Sequence, residues 1–120
     1  MRTCVRGIRR ISMKLWIDDV RPAPKGYKWI QTVNEAKQFL AVTSRLSGII
    51  CPPNEPYIEL ISVDHDAGDC AVYGGDYIEL VKWMEQERMF YPIRIHSMNP
   101  VGVQNIRRII EKYPQWKEIR

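Results

Sequence analysis

A chain of 120 residues, of which 45% are hydrophobic and 27% charged, has the composition of one globular domain. No stretch approaches the roughly 18 consecutive apolar residues that a membrane helix needs, so a membrane-spanning protein is not predicted. The cysteines, Cys4, Cys51 and Cys70, form no Cys-x-x-Cys pair, which argues against a zinc knuckle and against a disulfide framework. We expect free thiols and a cytoplasmic location.

The net charge of +4 comes from the first twelve residues, which carry four arginines and no acid. Three interpretations of residues 1–12 stay open: a mis-assigned start with Met13 as the true initiator, a basic arm that touches phosphate backbones, or a targeting peptide. The segment lacks the apolar stretch of roughly 7–15 residues that a secretory signal needs. We therefore divide the chain into a basic leader or mis-assigned start at 1–12 and a single domain at 13–120.

The first predicted strand is the apolar run Lys14–Ile17, which ends on Asp18 and Asp19. Prolines and a glycine follow, so a loop leads to a second predicted strand that starts at Tyr27. This connection is shorter than the dozen or so residues that a crossover helix requires. No helix is therefore predicted between the first two strands.

Helices and strands alternate in the rest of the chain. A helix is predicted after Thr32, which has the capping-box spacing with Glu35. Residues 47–56 are predicted as a loop that contains a candidate short strand at 49–51, and residues 116–120 as an edge strand or a tail. The remaining predicted elements are a strand at 57–63, a helix from Asp76, a strand at 93–95 and a helix from Pro100, which Asn99 caps.

This order predicts an α/β fold with a mainly parallel sheet that helices cover on both faces. Polar clusters follow three of the strands, at 18–19, 64–66 and 96–99. Because the carboxyl ends of the strands line the ligand crevice of an open α/β sheet, we expect these clusters to converge. A single Asp or Asn after a strand is a common turn former, so the argument depends on three clusters coinciding.

The aspartates of these clusters point to a cation. Two ionised carboxylates at about 4 Å repel by about 4 kcal/mol at an effective dielectric constant near 20, so such groups either protonate or share a cation. Oxygen ligands without a thiolate favour Mg²⁺ or Mn²⁺. Zinc held by His65 and His96 with an aspartate is the alternative.

The only two histidines, His65 and His96, both lie in these clusters and offer a general acid/base pair near neutral pH. Ser97 offers a hydroxyl donor to a phosphoryl oxygen, and Arg21 offers a guanidinium to a phosphate. Base stacking on an aromatic side chain and a cysteine nucleophile are weaker alternatives.

Three blocks of the sequence resemble the signature motifs of the cyclic-phosphate-processing receiver-like domains, a shortened relative of two-component receiver domains. The blocks are Leu15–Pro22, Ile61–Gly68 and Ile95–Gly102, and the resemblance covers residues 13 to about 113. It implies a flavodoxin-like three-layer sandwich with a mainly parallel sheet of four to five strands. The first helix of the receiver fold is missing from the predicted elements.

The resemblance also implies roles for individual residues. Asp18 and Asp19 take the place of the receiver's metal-binding acid pair, Asp64 that of its phosphoacceptor, and Ser97 that of its hydroxyl residue. No lysine follows a clear fifth strand unless Lys117 serves. Because that lysine normally pairs with the phosphoryl group, the resemblance favours phosphoester chemistry over signalling by aspartyl phosphate.

We therefore expect a metal-dependent phosphoesterase that processes cyclic or terminal phosphates of nucleotides or RNA, and the resemblance implies a part in RNA repair. The expected site residues are His65, His96, Asp66 and Asp64 for catalysis, Asp18, Asp19 and Asp64 for Mg²⁺ or Mn²⁺, and Ser97, Asn99 and Arg21 for phosphate. The alternative is a non-catalytic receiver-like module that is phosphorylated on Asp64. RNA-processing proteins are the expected partners, and the oligomeric state stays open.

Overall fold

The computed structural model describes residues 11–47 and 56–120 of the chain. The elements of these residues follow the predicted order, with one short 3₁₀ helix in addition. Their bounds are β1 Ile11–Ile17, β2 Tyr27–Ile30, α1 Val33–Ser47, β3 Pro56–Val63, the 3₁₀ helix Gly68–Tyr73, α2 Tyr77–Gln86, β4 Ile93–Ile95 and α3 Pro100–Ile110. The candidate strand at 49–51 and most of the leader lie outside the described residues.

The four strands form one parallel sheet in the order β2-β1-β3-β4. Ile17 pairs with Ile30 and with Val63, and Val63 pairs with Ile95, so the last residues of the strands lie level. The segments that follow Ile17, Val63 and Ile95 therefore leave the sheet at one edge, which we call the carboxyl rim. The prediction of a parallel α/β sheet is confirmed.

One face of the sheet is apolar and buried, because alternate side chains of a strand point to the same side. Its buried strand residues are Leu15, Ile17, Ile30, Ile61, Val63 and Ile93. The connections from β2 to β3 and from β3 to β4 run in the same direction across the sheet, and right-handed crossovers place α1 and α2 on one face. Ile106 and Ile110 of α3 join the same buried cluster.

The expected helices on the second face are absent from the described residues. The helix that would lie there belongs to the connection from β1 to β2, where the chain makes only turns and bends between Asp18 and Gly26. Trp16 and Ser62, neighbours in the register of β1 and β3, alternate with the buried residues and so point to this second face. The missing first receiver helix therefore leaves this second face without a helix layer in the described residues.

Local capping signals operate as predicted. The Thr32 hydroxyl accepts a hydrogen bond from the Glu35 backbone N–H at 3.0 Å and starts α1. The Asn99 side chain accepts from the Gly102 backbone N–H at 3.1 Å, with Pro100 in the first turn of α3. Both caps satisfy backbone N–H groups that have no partner inside the helix.

Two element bounds and one segment differ from the prediction. β1 starts at Ile11, because its first residues pair with β3 from Pro56 onward. The segment Gly68–Tyr73, predicted as a loop, forms the 3₁₀ helix. α2 ends at Gln86, well before Pro92, and Arg88 just beyond it takes a φ of 60°.

The end of the chain adds a single parallel bridge beyond β4 instead of a full strand. Ile93 bridges to Glu118, the Ile93 N–H donates to the Lys117 carbonyl at 3.0 Å, and the Ile119 N–H donates to the Ile93 carbonyl at 2.7 Å. Because Glu118 is level with Ile93, and Ile93 pairs with Ile61, Lys117 lies a few residues before the carboxyl ends of the strands. Within residues 11–47 and 56–120, every helix is too short or too polar to span a membrane.

Candidate metal and acid/base site

Asp18 is the buried centre of the rim. Its Oδ1 accepts hydrogen bonds from the backbone N–H groups of Val20 and Arg21, both at 3.0 Å, and its Oδ2 lies 2.9 Å from His96 Nε2. Burial by itself raises the pKa of Asp18, but the hydrogen bonds from Arg21, His96 and Val20 together lower it below the usual value. The side chain is therefore an ionised carboxylate with a fixed orientation.

Two indoles fix the backbone around Asp18. Trp29 donates from Nε1 to the Asp18 carbonyl at 2.8 Å, and Trp16 donates from Nε1 to the Arg21 carbonyl at 2.9 Å. Without a helix between β1 and β2, these bonds hold the turn in place. The geometry of the acid thus depends on two aromatic residues, Trp16 and Trp29.

Asp64 brings a second carboxylate to the same place. Its backbone N–H donates to the Ile17 carbonyl at 3.0 Å, and its Oδ1 accepts from the His65 backbone N–H at 2.7 Å. One ligand atom from each of Asp18, Asp64 and His96 lies within 4.8 Å of the other two. The predicted convergence of three strand ends is therefore present in the structure.

Asp19 lies beside this group, with its carboxylate against the α-carbon of Gly68. Gly68 has a φ of +55°, and a side chain at this position would collide with the Asp19 carboxylate. Burial, followed by the charges of Asp18 and Asp64, raises the pKa of Asp19 above its usual value. Three carboxylates thus share one small region of the rim.

The described donors fit a hard divalent cation, because two carboxylates converge and a third beside them carries a pKa raised by burial and by their charge. The residues that suit such an ion are Asp18 and Asp64, with Asp19 next to them. Among the described residues the two histidines do not enter one ligand set, since only His96 belongs to the cluster. This arrangement gives no support to zinc held by both histidines.

His96 follows β4, and its side chain contacts residues of both β3 and β1. Its Nδ1 is 2.8 Å from the hydroxyl oxygen of Ser62, and its ring stacks on Trp16 with centroids 3.8 Å apart and an interplanar angle of 6°. Burial lowers the pKa of His96, and the hydrogen bond and charge of Asp18 oppose this effect only in part. Sequence analysis missed Ser62, although a polar residue in the apolar run Ile61–Val63 was the available signal.

His65 belongs to a second, adjoining group. Its Nδ1 lies 2.7 Å from Asp66 Oδ1, and Asp66 Oδ2 accepts from Asn99 Nδ2 at 3.4 Å. The imidazole packs against Gly102 in the first turn of α3, where a side chain would overlap the ring. Because a carboxylate can only accept, Nδ1 carries the proton, and Nε2 of neutral His65 keeps a free lone pair.

The residues predicted to bind phosphate also lie at the rim. Arg21 is exposed and donates from Nη1 to the His96 carbonyl at 3.2 Å. The Ser97 hydroxyl accepts from the Asn99 backbone N–H at 3.0 Å, which leaves its own proton free to donate. Asn99 caps α3, so the positive end of that helix faces the rim.

A family model described as the cyclic-phosphate processing receiver domain matches residues 13–112. No curated protein and no solved structure matches the chain. The match spans most of the chain and includes all three polar clusters of the rim. The strand order β2-β1-β3-β4 is consistent with a flavodoxin-like α/β fold. The chain therefore belongs to the family of cyclic-phosphate processing receiver domains.

Proposed function

We propose that this chain is a phosphoesterase that uses Mg²⁺ or Mn²⁺ to process cyclic or terminal phosphates of nucleotides or RNA ends. One observation carries the proposal: two carboxylates and His96 converge within 4.8 Å at the rim, directly beside the His65–Asp66 pair. A receiver that only accepts phosphate needs the acids but has no use for two imidazoles at the rim. The combination favours hydrolysis.

Asp18 and Asp64, with Asp19 beside them, would hold the cation. The cation would supply charge neutralisation at the phosphoryl oxygens. The protein's own contribution is to keep the carboxylates in place before binding, through the three hydrogen bonds to Asp18 and the backbone bond to Asp64. Preorganised groups of this kind need not reorganise during the reaction.

His65 has the arrangement of a general base. Its Nδ1–H is committed to Asp66, so the Nε2 lone pair is free to take a proton from an attacking water. Asp66 then stabilises the imidazolium that forms. The His65 side chain is 15% exposed, which leaves its ring accessible while the contact with Gly102 limits its motion.

His96 and Arg21 are placed to act on the leaving oxygen and on the phosphate. Protonated His96 would give a proton to the ribose oxygen that leaves as its bond to phosphorus breaks, and Asp18, 2.9 Å from Nε2, would stabilise that imidazolium. Arg21, held against the His96 carbonyl, places a guanidinium where a phosphate would be bound. The water supplies the new P–O bond, and its proton remains on His65.

Hydrolysis of a 2′,3′-cyclic nucleotide in the presence of Mg²⁺ or Mn²⁺ tests this proposal. We expect turnover by the parent protein and a loss of about 10²–10⁴-fold in His65→Gln and in His96→Gln, the range for a general acid or base. Asp69→Asn, which removes an exposed acid of the 3₁₀ helix, is the matched control and should keep full activity. No turnover by the parent, or turnover by both histidine variants equal to that of the parent, would rule out the proposed enzyme.

The alternative is a signalling module phosphorylated on Asp64. Lys117 lies a few residues before the carboxyl ends of the strands, whereas Asp64 follows the end of β3, and this offset disfavours the alternative. Intact mass after exposure to a small phosphodonor separates the two functions. A stable mass gain that Asp64→Asn abolishes would support signalling. RNA-processing partners and a part in RNA repair stay predictions that depend on the proposed chemistry, and a cytoplasmic location stays a prediction from the cysteine pattern.

A further inference from the structure

The second face of the sheet carries a row of residues that pair across all four strands. Trp29 pairs in register with Trp16, Trp16 with Ser62, and Ser62 with Arg94. Each member precedes the last residue of its strand, so the row runs parallel to the carboxyl rim. His96 stacks on Trp16 and contacts Ser62, and it therefore covers the middle of the row. The two ends of the row, at the outer strands β2 and β4, remain beside it.

Trp29 is an exposed aromatic side chain that is nevertheless fixed in place. It is 38% exposed, and its Nε1–H donates to the Asp18 carbonyl at 2.8 Å. The next residue, Ile30, is buried on the first face, so the alternation of the strand directs Trp29 to the second face. Among the described residues no aromatic ring stacks on this indole. A ring that is already held in position loses little freedom when a ligand covers it.

Trp29 borders the place proposed for the phosphate. Its indole contacts the backbone of Asp18, whose carboxylate would hold the cation. Trp16, its neighbour in the row, carries the ring of His96. In a nucleotide only one ribose separates the base from the phosphate. A phosphate bound at the rim therefore brings its base close to Asp18 and His96, where Trp29 offers a flat apolar surface.

The charge of this face complements a nucleic acid strand. Arg94 ends the row, Lys14 precedes Trp16 by two residues on the same face, and Arg21 is exposed at the rim. Within residues 11–47 and 56–120 neither arginine forms an ion pair with an acid. Lys14 lies 4.0 Å from Glu59, and such an exposed pair is weak. Cations of this kind suit the phosphates of a bound strand.

We propose that the exposed Trp29 indole stacks on the base of the nucleotide whose phosphate is bound at the rim, so that the substrates are base-bearing ends of single-stranded RNA. The inference rests on the proposed function, which places the phosphate, and it adds the base as a second point of recognition. Every base has a π face, so we expect no strong preference among the four bases. A partner helix does not fit this face, because the His96 ring interrupts the row on which it would lie.

The test is the affinity of the full chain, in the presence of Mg²⁺, for a labelled single-stranded RNA hexamer that ends in a 3′-phosphate. The comparison is the same hexamer without the base of its last residue, and mass spectrometry checks that both stay intact. We expect the parent to bind the base-bearing hexamer about 5–150-fold more tightly, the range for one stack of a base on an aromatic ring.

Two variants separate stacking from the bond to the Asp18 carbonyl, which both of them lose. Trp29→Leu should bind the two hexamers alike, because the aromatic surface is gone. Trp29→Phe should keep most of the preference for the base-bearing hexamer, because it keeps a ring. Val42→Ala, at an exposed position of α1 on the other face of the sheet, is the control and should match the parent.

Equal affinities of the parent for the two hexamers would overturn the inference, as would no binding of either or an unchanged preference in Trp29→Leu. An equal loss in Trp29→Phe and Trp29→Leu would also overturn it, because the missing bond to Asp18 would then account for the effect. If Trp29→Leu does not fold, the Trp29 indole N–H signal of the parent decides. It should shift with the base-bearing hexamer and stay in place with the abasic one, and an equal response to both would count against stacking.

The binding measurement needs no turnover, so its failure and that of the proposed function can be told apart. A protein without hydrolytic activity that prefers the base-bearing hexamer through Trp29 would refute the proposed function and leave the base site intact. An active protein that binds both hexamers alike would refute the base site alone.

Discussion

The imidazole of His96 lies parallel to the indole of Trp16, with ring centroids 3.8 Å apart and planes 6° from parallel. Trp16 ends no strand and carries no charge, yet it fixes the plane of the ring whose two nitrogens contact Ser62 and Asp18. The orientation of His96 at the rim therefore depends on side chains of the second face of the sheet. Side chains of β1 and β3 align the histidine that follows β4.

Replacement of Trp16 tests this support directly. Trp16→Leu removes the stack, worth about 0.5–1.5 kcal/mol, and the bond to the Arg21 carbonyl, worth about 1 kcal/mol. We expect the free energy of unfolding to fall by about 1–3 kcal/mol in denaturant titrations. The carbon-bound ring protons of His96 should also move downfield in the NMR spectrum, because the shielding by the indole is lost. Trp16→Phe should keep most of that shielding.

Gly102→Ala should displace the His65 ring while leaving the His65 side chain itself unchanged. A β-carbon at this position overlaps the imidazole, so the ring or the first turn of α3 must shift. Overpacking costs about 1–3 kcal/mol, and the better helix propensity of alanine returns about 1 kcal/mol, so the net loss of stability should be small. The NMR signals of His65 should shift strongly. Gln104→Ala, at an exposed position of the same helix, should leave them unchanged.

The Arg107–Glu118 pair predicts a pH-dependent stability at the far edge of the sheet. Arg107 donates to both Glu118 oxygens, with the shortest N–O distance 2.6 Å, and the two side chains are 18% and 11% exposed. The hydrogen bond to Arg107 lowers the pKa of Glu118 below its ordinary value, against the effect of burial. The folded state therefore holds this proton more weakly than the unfolded state does.

The stability from this pair is present above the ordinary pKa of glutamate and is lost as the pH falls through the lower pKa of the folded state. Glu118→Gln should lower the free energy of unfolding by about 1–3 kcal/mol at pH 7, the range for hydrogen bonds between charged groups. The difference from the parent should shrink toward zero in strong acid. A constant difference at every pH would show that packing, not charge, accounts for the effect. Glu111→Gln, at an exposed position, serves as the control.

Much of the fold could be predicted because its signals are local. Thr32 with Glu35, and Asn99 with Pro100, start their helices through caps that involve only neighbouring residues. The start of β1 could not be predicted this way, because it depends on pairing with Pro56, distant in the sequence. The one-sided helix layer also needed the structure, since it follows from the direction of the crossovers.

The meeting of Asp18, Asp64 and His96 followed from a general property of parallel sheets, whose strand ends lie at one edge. The different surroundings of Asp18 and Asp19 could not be predicted in this way. They depend on which of the two carboxylates accepts the backbone N–H groups of the following turn. Ser62 was not predicted as a site residue, because its place in the site depends on a contact with His96, which follows a different strand. A polar residue inside an apolar strand is the pattern that would have identified it.

The central claim is that Asp18 and Asp64 hold one divalent cation at the rim. Titration calorimetry with Mg²⁺ and Mn²⁺ should give one site in the parent protein, at least tenfold weaker binding in Asp64→Asn, and parental affinity in Asp69→Asn. At a cation concentration one hundred times the dissociation constant, the parent should gain about 2.7 kcal/mol of unfolding free energy. Equal binding by the parent and Asp64→Asn, or no binding by either, would contradict the claim.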